Sequence, residues 1–239
     1  MQAVSDTTSI VARWSPTAQG RYHTAVREFR ALAHLWREPV LDFGSSGGLS
    51  LLALHAVGVS DCWGVEPERA RVEGGLPNLR DAGIAAERLQ HVPDTRVLPF
   101  PAAYFGTVLA NAVLEHIPQP REAYIRELWR VLAPGGHLIV AETPNKYLPL
   151  DYHTTNLWGV PWLPTAWARR YAIWRGRYSP TRDWEHSGWR GIGYWELVAP
   201  LTDYELIPEH SVPRHRLLTA LGIPASIFDP YPCWVLRKV

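Results

Sequence analysis

Lysine, cysteine and net charge are all scarce in this chain, and each scarcity removes a class of function. Lys146 and Lys238 are the only lysines in 239 residues. Neither lies near a glycine-rich segment, so the lysine that a phosphate-binding P-loop requires is missing. Cys62 and Cys233 are the only cysteines. They have no partners at zinc-ligand spacing and define no disulfide framework, so cytoplasmic thiols are the simplest reading. A net charge of +1 gives no global field that would draw nucleic acid or an anionic surface. No apolar run reaches the ~18 residues needed to span a bilayer. The opening MQAVSDTTSIVARW lacks the charged start and apolar core of a secretion signal, and the expected location is the cytoplasm. Repeats and low-complexity runs are also lacking. What remains is a composition with 46% hydrophobic and 20% charged residues, which fits a folded α/β protein built as a single domain.

The most informative segment is PVLDFGSSGGLSL, residues 39–51. Pro39 to Phe43 reads as a buried strand and Leu49 onward as a helix entry. Between them, Gly44, Ser45, Ser46, Gly47 and Gly48 form a loop in which a ligand meets backbone at the glycines. A strand, a glycine-rich turn and a helix bind nucleotides at the carboxyl end of an α/β sheet. The dinucleotide fingerprint G-x-G-x-x-G needs glycine where Ser46 and Leu49 stand, so that reading fails. A second apparent strand, Asp61–Glu66, ends in an acid 22 residues after Gly44, a spacing that suits hydrogen bonds to ribose hydroxyls.

Further motifs follow in order: Asp94-Thr95-Arg96-Val97-Leu98-Pro99-Phe100, then Tyr104 to Asn111 with Leu114-Glu115-His116-Ile117-Pro118, then Glu127 to Glu142 around the reversal Pro134-Gly135-Gly136. Together with Asp42-Phe43-Gly44-Ser45-Ser46-Gly47-Gly48, these resemble the motifs of class I S-adenosylmethionine (SAM) dependent methyltransferases, of the UbiE-like, type-11 kind. Two departures stand out: Ser46 replaces the middle glycine of the first motif, and Phe105-Gly106 stands where the family usually has Phe-Asp. The resemblance implies a Rossmann-like seven-stranded sheet of order 3-2-1-4-5-7-6, strand seven antiparallel, with helices on both faces. It implies that SAM is the cofactor. Ser45, Ser46 and Gly47 would meet its methionine part, Glu66 its ribose, and Asp94 with Thr95 its adenine, with Asp42, Gly44 and Pro67 also in the cofactor site. Asn111 and His116 would lie on the methionine side.

Along the chain, residues 1–20 read as irregular, with Pro16 and Gly20 as breakers. Arg21–Trp36 follows a helical period, so residues 1–37 are expected to form a helical cap. The SAM-binding half covers 38–145. Residues 191–239 complete the sheet, with a helix at Gly193–Pro200, a strand at Tyr204–Glu209, a helix at Arg214–Leu221 and a last strand at Pro232–Val239. Residues 147–190 are too long for an ordinary connection and read as a substrate-recognition insertion. Six of the chain's twelve tryptophans and six arginines lie there. Core or pocket packing is the expected role of these aromatics.

Methyl transfer from a sulfonium is an in-line displacement that depends mainly on positioning, and it needs a base only when the nucleophile holds its proton. The catalytic candidates are His153 and His186, in the insertion. Asp151 either orients His153 or starts a turn. Asp151 with His153 is too thin a ligand set for a metal, so none is expected. The expected acceptor is a small or medium organic molecule, with oxygen favoured over nitrogen or carbon on frequency alone. The alternatives are a non-catalytic SAM-binding scaffold, or a methyltransferase for a lipid-like acceptor in peripheral contact with a membrane. Nucleic acid is the weakest partner, and the sequence leaves oligomeric state open.

Overall fold

A computed structural model describes residues 7–207 and 228–239. Its strands form one seven-stranded sheet of order β3-β2-β1-β4-β5-β7-β6. They are β1 (Val40–Phe43), β2 (Cys62–Glu66), β3 (Leu89–His91), β4 (Phe105–Asn111), β5 (Leu132–Ala141), β6 (Tyr204–Leu206) and β7 (Trp234–Lys238). β1 pairs in parallel with β2 and β4, and β2 with β3, while β6 and β7 are antiparallel. The order and the reversed last strand agree with what the motifs implied. Val40, Leu41 and Phe43 of β1 are fully buried, as expected of a parallel strand covered on both faces.

The helices are α1 (Thr8–Val11), α2 (Pro16–Ala31), α3 (Leu49–Ala56), α4 (Arg69–Asp81), α5 (Glu122–Val131), α6 (Thr165–Trp174) and α7 (Tyr194–Val198). The irregular start expected for residues 1–20 is corrected, because α2 begins at Pro16. Ser15 caps it by accepting from the Ala18 N–H at 3.3 Å, and proline at the first helical position loses no helical hydrogen bond. Read as a breaker, Pro16 in fact starts the helix. Gly20 sits inside α2 on its exposed side. Tyr22 is buried and its hydroxyl meets that of Thr7 at 2.5 Å, so it is a packing residue. The helix expected at Arg214–Leu221 lies outside the described residues, as does the end of the strand expected at Tyr204–Glu209.

The chain divides into two compact units, one of residues 1–109 and 130–137, the other of residues 110–129 and 138–239. The first holds β1, β2 and β3 with α2, α3 and α4. The second holds β6 and β7 with α6 and α7, and has its own satellite core of Leu157, Val160, Ala168, Ala172, Tyr178, Trp184 and Trp189. Arg121 ties this second unit together from a buried position. It donates to Glu196 at 2.9 Å, to the Gly191 carbonyl at 2.9 Å and to the Ile117 carbonyl at 2.7 Å, while Lys146 pairs with the other oxygen of Glu196.

Candidate functional site

In the first unit, the loop after β1 is shaped by backbone and packing together. Gly44 and Gly48 take φ of +77°, and Ser46, at +50°, adopts the same left-handed region despite its side chain. The Ser46 N–H donates to Glu66 Oε2 at 2.9 Å, and Glu66 Oε1 accepts from the Glu68 N–H at 3.1 Å. Glu66 thus holds the loop that precedes it in the chain. A carboxylate has about four lone-pair directions, so two stay available for ribose hydroxyls. The loop is also pressed against α4: a Cβ on Gly75 would lie 2.3 Å from the Gly47 carbonyl oxygen. A Cβ on Gly64 would lie 2.4 Å from Ser45 Oγ, so the strand beside the loop must carry glycine there too.

Asp42 is the unusual group of this unit. It is buried, and its Oδ2 has no hydrogen-bond partner. Burial, reinforced by the Glu66 charge and opposed by a bond from Ser50, pushes its pKa up to about 7. A buried carboxylate with an unserved oxygen fits a cationic donor on a ligand, and SAM carries an ammonium and a sulfonium. Thr95 is buried. Asp94 is exposed and pairs with Arg96, whose Nε and Nη2 both lie 2.8 Å away. That bond holds the Asp94 carboxyl down at about 2.

In the second unit, β4 ends at Asn111, whose side-chain Oδ1 is buried without a partner. A 3-10 turn at Leu114–His116 follows and sets Glu115 and His116 beside His153. One donor atom from each of these three lies within 4.8 Å of the others. Glu115 is fully buried; its Oε2 accepts from Thr143 Oγ1 at 3.0 Å and its Oε1 has no partner. Burial raises the Glu115 pKa, against the opposing pull of His116. His116 Nδ1 meets the His186 carbonyl at 2.8 Å. A carbonyl only accepts, so Nδ1 carries the proton and Nε2 is turned toward Glu115 Oε1, 3.8 Å away. Burial, then the neighbouring His116, lowers the His153 pKa, which keeps a neutral imidazole able to take a proton. Gly188 makes room for the group: a Cβ there would lie 2.9 Å from Glu115 Cγ and 3.0 Å from His153 Nε2.

His116, His153 and His186 line one cavity of about 390 Å³ with Thr154, Arg182, Asp183 and Ser187. The two histidines assigned to catalysis therefore share a cavity with one assigned to the cofactor. His186 Nδ1 donates to Asp183 Oδ2 at 2.7 Å, which lowers the Asp183 pKa. Asp151 does not orient the His153 ring. It accepts from the backbone N–H groups of His153, Thr154 and Thr155 at 3.0, 2.9 and 2.8 Å, so of its two expected roles it takes the turn. Glu115 is not among the expected site residues, because Leu-Glu-His-Ile-Pro reads equally as structure. Its one available signal is an acid beside a histidine inside an otherwise apolar segment. Asp151, the ligand partner weighed for His153, stands outside the cluster that forms, which joins Glu115 and His116 to His153. Tetrahedral zinc legs of about 2.1 Å would place donors about 3.4 Å apart, so these side chains would have to close inward around an ion.

Residues 41–140 match the family model described as a methyltransferase domain. The ubiquinone/menaquinone biosynthesis C-methyltransferase UbiE of Paraburkholderia phymatum is 28% identical over 174 residues, which cover 67% of this chain and 70% of that protein. UbiE of Ralstonia nicotianae shows the same identity and coverage. The family-model match and the UbiE relatives support a class I SAM-dependent methyltransferase. Among solved structures, geranyl diphosphate C-methyltransferase from Streptomyces coelicolor, in complex with Mg²⁺, geranyl diphosphate and S-adenosylhomocysteine, aligns with a TM-score of 0.57 at 16% identity, over 92% of this chain and 81% of that one. The YcgJ protein from Bacillus subtilis aligns with a TM-score of 0.54 at 21% identity, over 87% and 81%. Both share the fold. This methyltransferase is an enzyme whose cofactor is SAM, so the scaffold alternative is set aside. None of its helices, among the described residues, is long and apolar enough to cross a membrane.

Proposed function

We propose that the enzyme transfers the methyl group of SAM to a carbon atom of a small or medium organic acceptor, an activated ring or enol carbon, and that the cluster of Glu115, His116 and His153 removes the proton that carbon must lose. The UbiE relatives are named as C-methyltransferases, and this displaces the preference for oxygen, which rested on frequency alone. The observation that carries the reading is the buried Glu115 oxygen with no partner, facing the Nε2 of a histidine whose other nitrogen is fixed by a carbonyl.

The chemistry follows from that placement. An electron pair on the acceptor carbon attacks the methyl group, the carbon–sulfur bond breaks, and sulfur keeps its pair as neutral S-adenosylhomocysteine. The methylated carbon then gives up its proton to a base. Neutral His153 accepts it, and the Glu115 carboxylate, within 4.8 Å, opposes the positive charge of the imidazolium that forms. General base action of this kind contributes roughly 10²–10⁴ in rate. His186 is a positioning residue, because its carbonyl sets the His116 tautomer. On the cofactor side, Asp42 takes the ammonium, the loop Gly44–Gly47 the rest of the methionine part, Glu66 and Pro67 the ribose side, and Asp94 and Thr95 the adenine. With both cysteines free, the enzyme is read as cytoplasmic.

The test separates binding from chemistry. Glu66→Ala weakens S-adenosylhomocysteine binding at least about tenfold, since it removes charged hydrogen bonds of about 1.5–3 kcal/mol each. Glu115→Gln leaves that affinity alone and lowers kcat by about 10² or more. A Glu115→Gln enzyme with kcat within twofold of the parent would refute the base, and an O-methyl or N-methyl product would refute the carbon acceptor.

A further inference from the structure

The six tryptophans of the insertion divide into two sets. Trp184 and Trp189 are buried in the satellite core, stacked on each other with centroids 5.0 Å apart. Trp158, Trp162, Trp167 and Trp174 stand outside it, 67, 62, 70 and 77% exposed. Trp184 and Trp189 are thus core residues, Trp162 lines a cavity of about 520 Å³, and the other three face outward. Tryptophan is highly buried on average in folded proteins, so four such indoles in one short stretch call for a partner.

On α6 the division follows the helix faces. Ala168 and Ala172, four residues apart, point into the satellite core. Trp167, Arg170 and Trp174 are exposed, at the three- and four-residue steps that put them on one stripe. The charge is equally one-sided. Residues 152–182 hold Arg169, Arg170, Arg175, Arg177 and Arg182 and no aspartate or glutamate, whereas the whole chain is only +1, so the remainder is net acidic. Arg170, Arg175 and Arg177 are exposed, and the Arg175 guanidinium lies 5.8 Å from the Trp174 ring centroid.

We propose that this Trp/Arg face docks on the surface of an anionic lipid bilayer. Indoles partition to the headgroup boundary, where the ring is apolar and the N–H stays wet. Arginines beside them meet lipid phosphates, so a helix whose exposed stripe carries Trp167, Arg170 and Trp174 lies in the interface plane. At ten residues α6 is too short to span, so it rests on the membrane. Base stacking on nucleic acid uses aromatics set along a charged groove; here the four indoles are outward and well over half exposed. The inference is independent of the acceptor and of the Glu115 reading, because its readout is lipid binding in the absence of turnover.

The test is co-sedimentation of the full chain with vesicles of phosphatidylcholine alone and of phosphatidylcholine with about one third phosphatidylglycerol. The protein pellets with the anionic vesicles at low salt and is released at high salt. Trp167→Ala with Trp174→Ala, and separately Arg170→Glu with Arg175→Glu and Arg177→Glu, each lower the bound fraction by about tenfold or more. All five side chains are exposed, so the parent's thermal midpoint is retained. Hydrogen exchange on the unaltered protein gives a second measurement, with slower exchange over residues 160–177 when anionic vesicles are added. A protein that stays in the supernatant at low salt overturns the proposal, as do variants that pellet like the parent. It is equally overturned by exchange that vesicles leave unchanged, by an RNA complex that forms without vesicle binding, or by a dimer that the tryptophan variant abolishes while vesicles bind nothing.

Discussion

Asp42 places a titratable group inside the cofactor loop, and its environment sets a measurable pH dependence. Its pKa stands at about 7 against an ordinary 3.8, chiefly because burial disfavours the charged form. The folded protein therefore holds this proton more tightly than the unfolded chain. The contribution to stability is favourable at low pH and is lost as pH rises from about 4 through about 7. Three pKa units at 1.36 kcal/mol each put the loss at up to about 4 kcal/mol. S-adenosylhomocysteine brings an ammonium to the oxygen that lacks a donor, so it favours the ionised form and its binding expels the proton. At pH 5.5 only about 3% of Asp42 is ionised, and at pH 8 about 90%, so the affinity rises about thirtyfold over that interval. Titration calorimetry in two buffers of different ionisation enthalpy counts the protons, with release close to one at pH 5.5 and close to zero at pH 8.5. In Asp42→Asn the group no longer titrates. That variant binds the ligand weakly at every pH, and its thermal midpoint falls less than the parent's between pH 5 and 8. A parent affinity that is flat across this interval, or an Asp42→Asn profile that parallels it, would refute the assignment of Asp42 to the ammonium.

The packing of the loop predicts opposite results at adjacent glycines. Gly75→Ala sets a Cβ against the Gly47 carbonyl and costs about 1–3 kcal/mol of overpacking, together with cofactor affinity. Gly74→Ala meets nothing within 4 Å and stabilises α4 by about 0.5–1 kcal/mol; urea melts of the two variants measure both. Arg121→Met leaves the Gly191 and Ile117 carbonyls without that donor, while Glu196 keeps Lys146, and lowers stability by about 1–3 kcal/mol, read by the same melts. The activity of the parent falls at acid pH as His153 takes a proton, with a midpoint below the ordinary histidine value because burial lowers its pKa. His153→Gln removes that acid limb of the kcat profile, whereas an unchanged limb assigns it to another group.

Much of the cofactor half was legible in local sequence, because its residues act close to where they stand. Glycine at Gly44 and Gly48 meets a left-handed backbone directly, and the acid after β2 reaches back over one strand-loop-helix unit to the Ser46 N–H. The start of α2 is not legible at Pro16 alone, because the same proline breaks a helix interior and opens a helix, and Ser15 decides between the two. The base cluster was half legible. His153 stood out by type, but its partners, Glu115 and His116, lie far off in sequence and come beside it only after the 3-10 turn and the insertion have folded.

The order of motifs determined the cofactor and the strand order through the resemblance it carries to class I methyltransferases, since each motif is a short-range pattern readable without the fold. What only the tertiary structure decided is where long-range neighbours leave a group uncompensated. The Asp42 and Glu115 oxygens are buried without donors, and the insertion's tryptophans part into two buried rings and four exposed ones. Composition cannot report either outcome, because burial belongs to the packed surroundings of a side chain and residue type alone does not set it.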